Sequence, residues 1–193
     1  MIRLAIFSVL IALGLAWGGP VKPGPDPSGY SRDYGIMEAP DFKTGFPRLG
    51  KFEVLAHATG KPGTKGSYNC IAHSMRIYDR WVWPGEKVAD FDREYAKVGL
   101  RRVKGLDYRF DAKLEKVVLY ALVNNGVMKC THGARQLADG TWTSKLGQGP
   151  LIRHATPDSV AGPSYGKPIH LYVKERKAPL IDMPSTGRTL AKR

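Results

Sequence analysis

The alternation of apolar and polar positions is clearest in the second half of the chain. Residues 116–123, Lys-Val-Val-Leu-Tyr-Ala-Leu-Val, have the β-branched and aromatic content of a buried strand. Asn124, Asn125 and Gly126 supply a hairpin turn, and residues 127–137 return as its partner. Asp139-Gly140 marks a second hairpin, leading into Thr141-Trp142-Thr143-Ser144-Lys145, and residues 169–173 read as a later strand. Before these the spacing is helical. Asn69 is a good N-cap, and Ile71, Met75 and Tyr78 recur up to Trp83-Pro84-Gly85, predicting a helix of about three turns that opens on Cys70. Val88, Phe91, Tyr95 and Val98 predict a second, amphipathic helix ending at Gly99. Helices packed on an antiparallel meander make an α+β layout, with no internal repeat.

The ends follow neither period. Arg3 precedes an apolar run over residues 4–17, of signal-peptide length and short of the roughly 20 residues of a spanning helix. Ala16 and Gly18 are small where a signal peptidase inspects the chain, so cleavage after Gly18 is expected, an uncleaved anchor being the alternative. The expected location is therefore periplasmic, cell-envelope or extracellular, with membrane contact only through this segment. No cysteine follows the run, so no lipoprotein anchor is indicated. Residues 19–45 are rich in Pro and Gly and read as a tether, and residues 177–193 as a basic, disordered tail. One domain, residues 46–176, remains of the 193-residue chain.

The formal net charge of +13 favours anionic neighbours, whether nucleic acid, acidic lipid or acidic wall polymer. No known nucleic-acid module or basic-aromatic repeat accompanies it, so no specific nucleic acid is expected as a partner. No Gly-rich turn joins a strand to a helix, which leaves no phosphate cradle and no indicated cofactor. The charge does not fix the oligomeric state.

The candidate chemistry lies in Ser67-Tyr68-Asn69-Cys70-Ile71-Ala72-His73-Ser74-Met75 and in the second of the only two cysteines, Cys130. Cys70 and His73 share a helix face, and Cys130 and His132, two apart on a strand, are expected to share a face of the sheet. If the faces meet, four readings compete. A thiol at a helix N-terminus beside an imidazole can attack a carbonyl, with Cys70 as nucleophile, His132 as base, and His154 as the group that orients the imidazole. The Cys70 N–H, with Asn69 or Tyr68, would receive the oxyanion. Alternatively, Cys70, His73, Cys130 and His132 form a closed structural zinc site. A Cys70–Cys130 disulfide is the third reading, and buried packing of both thiols the fourth. The noncatalytic readings suit a basic envelope-binding protein.

The motifs Asn69-Cys70-Ile71-Ala72, Thr131-His132-Gly133-Ala134-Arg135-Gln136, Trp142-Thr143-Ser144-Lys145-Leu146-Gly147, Ile152-Arg153-His154 and Tyr165-Gly166 together resemble those of an uncharacterised bacterial family, a domain of unknown function, over about residues 66–173. In order of parts, the chain also resembles the papain-like superfamily, NlpC/P60-type peptidases and amidases in particular, where cysteine precedes histidine and a third polar residue follows. That resemblance implies a papain-like α+β fold and a peptide or cell-wall amide as substrate, with no metal. Around the cysteine, Asn69, Trp83, Arg135, Gln136, Trp142, Ser144 and Lys145 are the expected substrate-binding residues. Ser144 and Lys145, as strand neighbours, should face opposite sides.

Overall fold

A computed structural model describes residues 40–56 and 61–176. The expected signal segment, the first part of the tether, His57 and the basic tail lie outside the described residues. The tether gives way earlier than expected, because Pro40–Gly45 forms a short helix, α1. Strand β1, Glu53–Ala56, follows, then helix α2, Cys70–Ser74, and helix α3, Val88–Ala96. The remaining strands are β2, Arg101–Val103; β3, Leu114–Asn124; β4, Val127–Gln136; β5, Trp142–Lys145; β6, Leu151–His154; and β7, Lys167–Glu175. A 3-10 turn over Pro157–Val160 separates the last two. All seven strands join one antiparallel sheet in the order β1-β6-β5-β4-β3-β7-β2. The α+β expectation thus takes the form of a large antiparallel sheet with few helices.

The meander from β3 to β5 forms as expected, and β6 with the edge strands β1 and β2 is added to it. At the β3–β4 turn, Asn125 and Gly126 take φ of 51° and 75°, the left-handed pair that a two-residue hairpin requires. Helix α3 also ends as its spacing indicates. Leu100 donates to the Tyr95 carbonyl and Gly99 to that of Ala96, with Gly99 left-handed, so the last carbonyls are satisfied.

Helix α2 is much shorter than expected. Ile77 donates to the Ala72 carbonyl and Arg76 to that of His73, closing the same C-terminal motif with an arginine at φ 63° where glycine is usual. Arg76 is held there partly by an ion pair with Glu115 at 3.1 Å. Nothing in the residue types announces this stop.

The sheet has two covered faces. Val117, Leu119, Cys130 and Tyr172 pack on one side with Ile71, Ala72, Phe91 and Tyr95 of α2 and α3. Val118, Tyr120, Ala134, Trp142, Ile152 and Leu171 pack on the other with Phe46, Val160 and Tyr165. At Tyr120 the sheet is irregular. Tyr120 pairs with His132 but Ala121 with Cys130, so Thr131 is an extra, bulged residue on β4.

Candidate functional site

The bulge at Thr131 corrects the expectation that Cys130 and His132 share a face. One unpaired residue shifts the two-residue period, so Cys130 joins the helix-covered face, while His132 lies on the opposite face against Tyr120 and Tyr165. Among the described residues no three His, Cys, Asp or Glu side chains stand together as a metal ion would need, so the zinc constellation is not assembled. Both cysteines are free and buried, so the disulfide is not formed.

His132 is fixed by its neighbours. Its ring stacks on that of Tyr165 at 3.9 Å between centroids and 6° between planes, and the bulged Thr131 holds Tyr165 by donating to its carbonyl at 2.6 Å. His132 Nε2 lies 2.9 Å from Ser144 Oγ, and that oxygen lies 2.9 Å from His154 Nε2. His154 Nδ1 is 2.8 Å from the Thr156 carbonyl, which can only accept. Hence His154 carries its proton on Nδ1, Ser144 donates to His154 Nε2, and His132 donates to Ser144 from Nε2. His132 Nδ1 is left as a bare acceptor, buried and with no hydrogen-bond partner. His154 thus stands one hydroxyl away from the position expected of it, with Ser144 between the two rings.

A second relay runs on the helix side. His73 Nε2 lies 2.9 Å from Thr143 Oγ1, which donates to the Arg135 carbonyl at 3.2 Å. His73 therefore donates from Nε2 as well, and its buried Nδ1 is also without a partner. Adjacent hydroxyls on β5 hold the imidazoles on opposite faces, Thr143 one and Ser144 two. Burial depresses all three histidines: His73 to about 3, His154 to about 4, and His132 well below the usual imidazole value.

Cys70 opens α2, but its thiol is not activated at rest. Burial pushes it up to about 11, while backbone N–H groups of Gly133, Ile71 and Cys70 itself, and the charge of Lys145, pull the other way. That corrects the expected lowering by a helix dipole, for which a five-residue helix supplies little. The sulfur nonetheless sits beside the backbone of the histidine strand. Strands β4 and β5 pair only at Arg135↔Thr143 and Gln136↔Trp142, and α2 packs where they part. Gly133 permits this approach, since a Cβ there would stand 2.8 Å from Tyr95 Oη and 3.1 Å from Ile71 Cδ1.

The remaining expected site residues divide. Asn69 Oδ1 accepts from the backbone N–H groups of Ala72 and Val82, and its Nδ2 donates to the Val82 carbonyl, so it is a buried clamp and no free oxyanion donor. Trp142 lies in the core against Tyr108, and Gln136 donates to the carbonyls of Tyr108 and Gly140. All three are buried. Arg135 is buried, with Nη1 3.2 Å from the half-exposed Tyr78 hydroxyl. Trp83 is exposed and edge-on to Phe91. Lys145 is completely buried on the Cys70 side, opposite to Ser144 as expected.

Tyr165 is the residue that the sequence reading undervalues. Its hydroxyl is buried without a partner, and burial, followed by the nearby Cys70 sulfur, pushes the phenol well above its ordinary range. Tyr165 is thus stacked on His132 and is also acted on electrostatically by Cys70. The only signal for it was the Tyr-Gly pair, whose Gly166 has φ 73° and lies so close to the Ala121 carbonyl that a Cβ would stand 1.9 Å from it.

No curated protein and no solved structure matches the chain. A family model does match it, over residues 58–173, taking in both relays and every residue around Cys70 named above. The chain belongs to the family described as Domain of unknown function (DUF7689).

Proposed function

We propose that this is an exported cysteine-dependent amide hydrolase, a peptidase or amidase with a papain-like order of parts: a helix-borne cysteine, then a histidine on a strand, then the group that orients it. The observation that carries the reading is the bare Nδ1 of His132. A buried, unpartnered imidazole nitrogen is costly to leave unsatisfied, and here the Ser144–His154 relay holds the ring in the tautomer that presents it as a base.

In the reaction, the Cys70 sulfur bonds to the amide carbon while its proton passes to His132 Nδ1. The carbonyl oxygen becomes an oxyanion that the unspent Tyr165 hydroxyl can receive. His132 then returns the proton to the nitrogen as the C–N bond breaks, and water resolves the thioester. Sulfur and Nδ1 are not hydrogen-bonded at rest and their residues approach from opposite faces of the sheet, so the reading requires them to meet where β4 and β5 part when substrate enters. The depressed histidine and raised thiol keep both groups neutral at rest and oppose the transfer, so the reading requires substrate to relieve that burial before the proton moves.

The same burial favours one other reading, in which Cys70 is a packed core thiol and the basic surface binds an envelope polymer. Labelling with a peptidyl epoxide, read by peptide mapping, separates the two. The hydrolase reading expects modification of Cys70 alone, slowed at least tenfold in His132→Ala and unchanged in Cys130→Ala, with circular dichroism showing that the variants fold. Equal rates with and without His132 would sink the pair, and no labelling at all would favour the binding protein.

A further inference from the structure

Lys145 is a buried cation without an anion. Its Nζ donates to the carbonyls of Gly147 and Gly149 at 2.6 and 2.5 Å, which uses two of the three N–H bonds of an ammonium group. Among the described residues no carboxylate forms an ion pair with it. Its other neighbours are the Tyr68 ring, 5.4 Å from Nζ to the centroid, and the Cys70 thiol. Burial lowers the amine to about 8, which leaves it mostly charged near neutral pH. A lone buried charge is expensive, and the turn over residues 145–149 could be closed by backbone alone, since Leu146 already bonds Pro150 and Gly149 bonds Leu146.

The surroundings are built for an anionic oxygen. A second donor with unspent capacity is the buried, unpartnered Tyr165 hydroxyl, and the Cys70 sulfur acts electrostatically on both it and Lys145. On the outer side, Tyr68 stands edge-on to Tyr78 at 5.4 Å, and both lie near the His73 ring. Tyr68 is buried and Tyr78 half-exposed, so the ring that Lys145 faces is backed by one that reaches solvent.

We propose that Lys145 is the carboxylate-binding residue of the Cys70 site, so that the substrate is an amide with a carboxylate a few bonds from the reacting carbonyl, such as an N-acylamino acid or the C-terminal residue of a peptide. Entry is past Tyr68 and Tyr78. The carboxylate takes the third ammonium N–H and neutralises the buried charge, which sets the scissile carbonyl beside the thiol. This rests on the hydrolase reading for the use of the site, but the binding itself does not require the reaction.

The test is therefore made on full-length Cys70→Ser protein, which cannot turn substrate over through the thiol. Thermal unfolding is followed against N-acetylglycine and against N-acetylglycinamide, its uncharged analogue, at matched ionic strength. The proposal expects a saturable rise in Tm with the acid only, and its loss in the Cys70→Ser/Lys145→Met double variant. Equal shifts with both compounds, no shift with either, or selectivity that survives loss of Lys145 would each overturn it. If the double variant does not fold, the comparison of acid with amide in the Lys145 protein still decides. A failure here leaves the epoxide labelling of Cys70 untouched, and a failure of that labelling leaves this binding result standing, so the two ideas fall separately.

Discussion

Hydroxyl groups decide what the histidines can do. Thr143 and Ser144 are neighbours in sequence, yet each fixes the tautomer of an imidazole on its own side of the sheet. Proton-coupled nitrogen NMR should accordingly find His73 and His132 protonated on Nε2 and His154 on Nδ1; His132 protonated on Nδ1 would remove the base from the proposed mechanism. Acid stability follows from the same burial. Each of these histidines has a folded-state value below its unfolded value of 6.5, so below that pH the unfolded chain binds more protons. Their stability contribution is complete above about pH 6.5 and is lost as pH falls toward 4 and 3. Urea unfolding should show a fall of about 2 kcal/mol per histidine between pH 6.5 and 5, several kcal/mol in all. A flat profile over that range would mean that the rings are hydrated or charged in the native protein.

At the scale of elements, the site depends on α2 seating deeply between β4 and β5. Gly133→Ala tests this, because the new methyl group meets Tyr95, Ile71 and Ser74 at 2.8 to 3.1 Å and must push the helix away. We expect a loss of about 1–3 kcal/mol in chemical unfolding and much slower epoxide labelling of Cys70; a variant as stable as the parent would show that the helix seat is loose. Asn69→Ala should cost about 2–4 kcal/mol in the same measurement, since it removes both the cap of α2 and the clamp on Val82. Much of this architecture was legible in the sequence. The β3–β4 hairpin was announced by Asn125-Gly126 and the end of α3 by Gly99, because those residue types carry the left-handed conformations that the turns need. The short α2 was not legible, since Arg76 adopts the same conformation with no such mark. Nor was the Thr131 bulge, which an alternating pattern cannot register, and it is what sends Cys130 and His132 to opposite faces. The residues of the relays stood in plain motifs, but which hydroxyl meets which ring depends on strand register, and that becomes fixed only when the sheet assembles.

The whole molecule is larger than the segment that defines its family. The family match begins at residue 58, whereas β1 lies before it and forms an edge of the sheet against β6, with Val54 opposite Ile152. Phe46, Phe52 and Val54 are buried with Trp142, Ile152 and Tyr165. Phe46 reaches the site itself at one remove, with its ring 5.1 Å from that of Tyr165, which is stacked on His132. Burying a phenylalanine or valine contributes about 1.5–3 kcal/mol, so losing three such residues and an edge strand removes an amount comparable to the 5–15 kcal/mol stability of an ordinary domain. A chain trimmed to residues 58–173 should therefore unfold at much lower urea than one spanning residues 40–176, with Tyr165 the first aromatic ring to lose its fixed environment. Near-ultraviolet circular dichroism and urea titration of the two chains make the comparison. Equal midpoints would show that the matched segment carries its own complete core and that β1 is an accessory, whereas the expected gap makes the N-terminal strand part of what holds His132 in place.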